Sequence, residues 1–163
     1  ANDYGNLAQR SLSMIAKNCG AAVPAPGAFT ALDEGLLAAA TDLVGTVRAH
    51  MEGQAFHKGL EAIWAVIGAA NRYVDGQAPW ALKKTDPARM ATVLYTLAET
   101  VRRLAIVTQA FVPEASAKLL DQLAVPAARR RLADVADDTA RLTPGTALPK
   151  PEGVFPRHVE DAV

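Results

Sequence analysis

The sequence predicts an all-α protein, an antiparallel helix bundle followed by an extended proline-rich tail. Alanine is abundant and runs of β-branched residues are absent, which favours helix over strand. Apolar residues recur three and four positions apart, in stripes wide enough to bury one face of each helix. Short loops separate these segments, and such connections place neighbouring helices antiparallel. We expect the bundle to occupy residues 1–142 and the tail residues 143–163.

Composition limits the class of protein. A chain of 163 residues, half of them hydrophobic, fits one domain with a tail. Basic and acidic side chains balance to a net charge of zero, so no strong field attracts nucleic acid or a lipid surface. No apolar run approaches the roughly 18 residues of a membrane span. One cysteine fits a reducing cytoplasm. The start lacks an initiator Met, and we expect the chain to be part of something longer.

The first two predicted helices have recognisable ends. The first should run from Asn2 to Cys19, with Gly20 as its stop. The second begins at Thr30, and Asp33 three residues later makes a capping box. Gly53 then separates the second helix from the third.

The third helix is predicted from apolar residues at helical spacing between Leu60 and Val74. Trp64 lies in this stripe, so we interpret it as a core residue. Asn71 shares the stripe, which suggests a buried polar residue that fixes helix register. The fourth helix opens at Asp86, a cap followed by a proline at the first helical position.

The remainder of the chain is predicted from its prolines. Pro113 ends the fourth helix, and shorter helices are expected at about 113–123 and 126–138. From Thr143 onward the sequence is proline-rich, and we expect an extended tail that forms no core.

Motifs for catalysis or cofactors are not recognisable. The chain has no phosphate-binding GxxxxGK[ST] loop, no HExxH and no cysteine pair for zinc. His57 and Glu61 lie four residues apart without a third ligand, which is typical of an exposed pair. Cys19 is interpreted as a packing residue. The basic run 129–131 is balanced by nearby aspartates and indicates a solvated helix face. We therefore predict no catalytic residue, metal or cofactor within this chain.

The first helix has an informative polar face. Asn6, Arg10 and Lys17 fall within about 40° of one another, opposite the apolar face. Asn offers one donor and one acceptor, and Arg offers a planar fork of donors. Such a pair can read the edge of an unpaired nucleobase. An ordinary solvated helix face remains the alternative.

Trp80 supplies a matching feature at the end of the third helix, in the stretch ANRYVDGQAPW. It follows Pro79, which restrains the backbone before it. An exposed indole can stack on the face of a base, and Lys83 and Lys84 are candidate contacts for the flanking phosphates, as is Lys17. A lid over one end of the bundle is the alternative for this tryptophan.

GNLAQR (5–10) and ANRYVDGQAPW (70–80), in this order, resemble the anticodon-binding domain of bacterial methionyl-tRNA synthetases. DPARMATVLYTLAETVRRLAIVTQAFVP (86–113) is similar to the helix that follows in that family, and GTALPKPEGVFPR (145–157) to its final segment. The resemblance covers nearly the whole chain, and the combination of the two motifs is more specific than either alone.

The resemblance implies a function and partners. It implies that the bundle recognises the CAU anticodon of tRNA(Met). Asn6 and Arg10 would contact the first anticodon base, Trp80 would stack on it, and Pro79 would shape the site. Signatures of the family's catalytic domain are not found in these residues, so this chain alone should not activate methionine. ATP, methionine and often zinc would belong to the catalytic domain of the parent chain.

Two other classes of function remain open from the residues. One is a non-catalytic helical-bundle module that binds another protein. The other is a standalone tRNA-binding protein. The first would explain the bundle and its neutral charge, but not why Asn6, Arg10 and Trp80 occur together in their two motifs.

Overall fold

The computed structural model describes residues 2–155, which form six α-helices. The helices are α1 (Asn2–Asn18), α2 (Ala31–Glu52), α3 (Phe56–Gln77), α4 (Pro79–Thr85), α5 (Pro87–Thr108) and α6 (Pro113–Gln122). Between residues 2 and 155 the only β-type pairing is an isolated bridge from Ala22 to Ala147. The predicted all-α fold is confirmed over this range. The last part of the predicted tail, 156–163, lies outside the described residues.

Helix α5 forms the centre of the bundle. Every residue from Thr92 to Thr108 is buried, and α1, α2, α3, α4 and α6 all pack against this helix. A helix that is buried on all sides needs neighbours on all sides, so the other helices are arranged around it. The predicted apolar face of α1 is confirmed, because Tyr4, Leu7, Leu12 and Ile15 are each almost completely buried.

The predicted helix ends are largely confirmed. The backbone N–H of Thr30 donates to Asp33 Oδ2 at 2.8 Å, as a capping box requires. Asp86 Oδ1 accepts from the backbone N–H of Arg89 at 2.9 Å and caps α5. Gly20 follows the end of α1 with φ +60°, a left-handed conformation that glycine adopts without steric cost.

The prediction of a helix at about 126–138 was wrong. Three short 3-10 turns occupy this region, at Ala127–Arg129, Leu132–Val135 and Asp138–Ala140. Aspartate side chains supply the reason. Asp134 Oδ2 accepts from the backbone N–H of Arg131 at 2.8 Å, and Asp137 Oδ1 accepts from that of Thr139 at 2.8 Å. Such local bonds offer the backbone an alternative to a continuous helix.

Two interpretations of α3 also need correction. Trp64 was predicted to lie in the core, but 41% of it is exposed, next to Leu60 on the solvent side of the helix. Neighbouring positions such as Ile63 and Ile67 form the buried face instead. Asn71 was predicted to be buried and is only half-buried. Its amide nitrogen still donates to the carbonyl of Asp3 at 3.3 Å, so it does link α3 to α1.

The described part of the tail packs on the bundle. Between residues 143 and 155 the backbone is irregular, as predicted. The expectation that it contributes nothing to the core was wrong, because Val154 is only 6% exposed and belongs to the core cluster. Phe155 packs on Tyr4, with ring centroids 5.6 Å apart. A Cβ at Gly5 would lie 3.2 Å from the Phe155 ring, so glycine permits this close approach.

No helix between residues 2 and 155 combines the length and apolarity that a bilayer span requires.

Candidate functional site

Arg10 and Trp80 meet on the surface, where α1 passes the junction between α3 and α4. The guanidinium carbon of Arg10 lies 5.8 Å from the centroid of the Trp80 ring, within the range of a cation–π contact. Trp80 is 52% exposed and Arg10 is also exposed. The structure therefore brings together two residues that are far apart in the sequence, and it leaves the indole accessible to a ligand.

Asp75 is a third member of this patch, and neither sequence motif indicates its role. Arg10 Nη2 donates to Asp75 Oδ1 at 3.0 Å, and the two side chains are 43% and 65% exposed. A pair this exposed is screened by solvent and contributes little to stability. It orients the guanidinium but does not lock it. The only available signal in the sequence was an acidic residue five positions before Trp80.

The packing of α1 directs its polar face outward. The Tyr4 hydroxyl lies 3.3 Å from Thr108 Oγ1, and the amide nitrogen of Asn71 donates to the carbonyl of Asp3 at the start of the helix. With one side of α1 fixed against α5 and α3, the other side faces solvent. Asn6 lies there in an exposed position, one helical turn before Arg10. The predicted face of Asn6 and Arg10 is thus accessible, and it is the Arg10 turn that reaches Trp80.

Trp80 projects from a sharp joint rather than from the simple turn that the sequence suggested. One residue, Ala78, separates α3 from α4, and it adopts a left-handed conformation with φ 44° and ψ 58°. Pro79 is buried and opens α4, where a missing N–H costs nothing. Trp80 is the second residue of this seven-residue helix. Its direction is therefore set by the orientation of α4.

The three lysines predicted to approach phosphates are all exposed. Lys83 and Lys84 lie in the last turn of α4, one turn beyond Trp80. Lys17 lies near the end of α1, about 10 Å along the helix axis from Arg10 on the same face. The lysines consequently flank the Arg10–Trp80 contact along both helices that carry it.

A buried network lies behind the joint. Asp33, which is fully buried, accepts two hydrogen bonds from Arg89, at 2.5 and 2.8 Å, and a third from the Tyr73 hydroxyl. Burial alone would raise the pKa of Asp33. The hydrogen bonds from Arg89, Tyr73 and Thr30 outweigh burial and hold that pKa well below its usual range. Arg89 also donates to Gln77 Oε1 at 2.6 Å.

Other candidate groups show no arrangement for chemistry. Burial raises the pKa of the Cys19 thiol, which favours the unreactive protonated form. Across the described part of the chain, no group of three or more His, Cys, Asp or Glu side chains is placed to hold a metal ion. His57 and Glu61 are both exposed on α3.

An exposed indole next to an arginine fork suits an unpaired base, which proteins bind by stacking and by hydrogen bonds to its edge. The structure is therefore an all-α domain with an exposed aromatic and polar patch whose chemistry suits such a base.

Comparison with known proteins gives the family. Residues 23–163 match the family model described as the anticodon binding domain of methionyl tRNA ligase. The chain is 59% identical over 160 residues to a methionine–tRNA ligase of Mesorhizobium japonicum, and 58% identical over 160 residues to one of Brucella suis. Each match covers 98% of this chain and 31% of the relative.

A solved structure agrees with this match. The crystal structure of the apo form of Mycobacterium tuberculosis methionyl-tRNA synthetase superposes with a TM-score of 0.92 at 48% identity. The superposition covers 99% of this chain and 33% of the other. The chain belongs to the family of anticodon-binding domains of methionyl-tRNA ligases. It spans about a third of the length of the relatives it matches, and the predicted family is confirmed.

Proposed function

We propose that this domain recognises the CAU anticodon of tRNA(Met) for a parent methionine–tRNA ligase that uses ATP. Membership of the family supports an anticodon-binding role. The chain covers only 31% of its relatives, so the catalytic domain of the parent is its expected partner. The family makes tRNA(Met) its expected ligand. The single cysteine and the family both support work in the cytoplasm.

The observation that carries the proposal is the contact between Arg10 and Trp80. The guanidinium fork of Arg10 lies over the indole of Trp80 on one exposed patch, with its central carbon 5.8 Å from the ring centroid. In the proposed complex, Trp80 stacks on the first anticodon base, cytosine. Asn6 and Arg10 bond to the edge of that base, and Pro79 shapes the site by holding the start of α4. Lys17, Lys83 and Lys84 contact the flanking phosphates.

Binding requires Arg10 to change partners. In the free domain the guanidinium covers one face of the indole and donates to Asp75. A base stacked on that face takes the position of the guanidinium, and Arg10 then turns its donors toward the edge of the base. The exchange is inexpensive because both existing contacts are exposed and weak.

The neutral charge of the domain limits its affinity for RNA on its own. Few phosphates can be neutralised by a chain with a net charge of zero, so binding should fall less steeply with salt than that of a basic RNA-binding domain. The domain is thus better suited to select an anticodon within a larger enzyme. This favours a synthetase domain over a standalone tRNA-binding protein or a module that binds only protein.

Trp80→Ala in the intact parent enzyme tests the proposal. Loss of stacking should lower kcat/KM for charging tRNA(Met) by about tenfold to a hundredfold. Methionine activation, measured by pyrophosphate exchange, should be nearly unchanged, because it requires no contact with the anticodon.

Trp64→Ala is the matched control, because Trp64 is the other exposed tryptophan and lies on α3 away from the joint. It should leave tRNA charging within about twofold of the unmodified enzyme. Equal losses of charging and activation in Trp80→Ala would show that Trp80 holds the fold together and is not an anticodon platform.

A further inference from the structure

The joint that carries Trp80 is strained and needs support. Ala78 has a positive φ of 44°, a left-handed conformation that is sterically unfavourable for a residue with a Cβ. Such conformations persist where the surrounding structure determines them. Since Ala78 alone separates α3 from α4, any relaxation of its dihedral angles would swing α4 and move Trp80.

Arg89 bonds to the chain on both sides of α4. Its guanidinium donates to Gln77 Oε1 at 2.6 Å, and Gln77 is the last residue of α3, directly before the joint. Its backbone N–H donates at 2.9 Å to Asp86 Oδ1, and Asp86 is the residue that follows α4. One residue thereby fixes the chain on both sides of the short helix.

Asp33 in turn fixes the position of Arg89. The carboxylate of Asp33 accepts both arms of the guanidinium and also the Tyr73 hydroxyl, and it is fully buried in the first turn of α2. Tyr73 lies one turn before Gln77 on α3. A bidentate pair fixes the plane of the guanidinium, and Nη2 uses its other hydrogen to bond to Gln77.

We infer that Arg89 and Gln77 are positioning residues for anticodon recognition, and that they hold α4 so that Trp80 faces Arg10. The inference rests on the proposed function. Each acts on Trp80 through the backbone at Ala78, which joins α3 to α4. By this inference, tRNA recognition at the surface depends in part on a half-buried set of contacts between helices α2, α3 and α5.

The test is a double-mutant cycle in the intact parent enzyme. Gln77→Met keeps the length of the side chain and removes the acceptor for Arg89. It should lower kcat/KM for tRNA charging by about three- to tenfold, mainly through KM, and leave pyrophosphate exchange unchanged. In a Trp80→Ala background the same substitution should cost less than about twofold, because the residue that it positions is gone.

A merely structural role gives a different result. Gln77→Met would then lower charging by the same factor in both backgrounds, or would lower pyrophosphate exchange as well, and either outcome overturns the inference. Glu61→Ala, an exposed change on α3, is the control and should have no effect in either background. Thermal unfolding of each variant checks that the fold is retained.

The cycle also separates this inference from the proposed function. If Trp80→Ala leaves charging unchanged, the anticodon role of the patch fails, and the positioning role fails with it. If Trp80→Ala lowers charging and Gln77→Met does not, only the positioning role fails. Gln77→Met is the deciding variant, because a substitution of Arg89 would also break its pair with the buried Asp33.

Discussion

Arginine pairs with a carboxylate in two very different places in this domain. At the surface, Arg10 and Asp75 make one contact of 3.0 Å, with side chains that are 43% and 65% exposed. In the centre of α5, Glu99 pairs with Arg102 and Arg103, and the three side chains are 0%, 0% and 3% exposed. The same chemistry therefore serves one region as a displaceable contact and the other as a fixed link.

The central cluster is fixed because every member has several partners. Glu99 accepts from Arg102 at 2.7 and 2.9 Å, from Arg103 at 2.9 Å and from the backbone N–H of Leu142 at 3.2 Å. The two guanidinium groups also donate to the backbone carbonyls of Asp134, at 3.1 Å, and Leu37, at 2.7 Å. Buried charges are tolerated only with such complete sets of bonds. Arg10 has fewer constraints, so a ligand can displace its partner.

The largest expected effect comes from breaking the buried cluster. Glu99→Ala should lower the free energy of unfolding by about 3–5 kcal/mol, because it leaves two buried guanidinium groups without their carboxylate. Urea unfolding of the chain measures this change. Glu61→Ala, an exposed carboxylate on α3, should alter it by less than about 0.5 kcal/mol. A loss below about 1 kcal/mol for Glu99→Ala would mean that the cluster is not a structural link.

The Arg89–Asp33 pair lies between these two extremes, because Arg89 is 17% exposed and Asp33 is fully buried. The stability that this pair contributes should depend on pH. Asp33→Asn should destabilise the domain by about 1–3 kcal/mol at neutral pH, because a charged acceptor for Arg89 and Tyr73 is lost. The pKa of Asp33 is depressed in the fold, so its stabilisation is present above the unfolded value of about 4 and is lost as the pH falls toward the folded value.

Urea unfolding at several pH values checks this prediction. The difference between the unmodified chain and Asp33→Asn should stay constant from about pH 6 to 8 and shrink below about pH 4. A difference that grows on acidification would contradict the depressed pKa.

The two regions also differ in how far the sequence predicts them. The spacing of apolar residues was sufficient to predict the buried face of α1, because local spacing decides which side of a helix is apolar. The polar face of Asn6 and Arg10 followed from the same spacing, and Trp80 from its motif. That Arg10 lies over Trp80 depends on how α1 crosses the end of α3, which no local pattern contains.

The spacing of residues along the chain does not predict the buried charges, for a physical reason. A charged residue in a helix is normally assigned to the solvent side, since burial is costly without partners. Arg103 also bonds to the carbonyl of Leu37 in α2, and Arg89 pairs with Asp33 of the same helix, 56 residues away in the chain. Only the assembled bundle brings them together. Trp64 shows the opposite error, because a large aromatic residue in an apolar stripe proved to be exposed.

Arg10→Ala tests whether Arg10, the arginine of the exposed Arg10–Asp75 pair, contacts the anticodon base. In the intact parent enzyme, kcat/KM for charging tRNA(Met) should fall by about tenfold, because one hydrogen-bonded contact to the base is lost. Discrimination at the first anticodon base should also relax, and charging of tRNA variants substituted at that base measures this. Arg10→Lys keeps the charge without the planar fork, so it should recover binding more than discrimination. Full discrimination in both variants would contradict a role in reading the base.

The smallest expected effect is the change in unfolding free energy caused by Asp75→Asn, and its dependence on salt distinguishes the surface pair from the buried cluster. Asp75→Asn removes the exposed partner of Arg10, and it should change the free energy of unfolding by less than about 1 kcal/mol at low ionic strength. Raising the salt to about 1 M shortens the screening length to roughly 3 Å, so this small difference should disappear. The loss caused by Glu99→Ala should persist under the same conditions, because solvent ions cannot reach a fully buried pair. Urea unfolding of both variants at low and high salt makes the comparison. If the Asp75→Asn effect survived high salt, the surface pair would be part of the structural framework, and Arg10 would not be free to exchange Asp75 for a base.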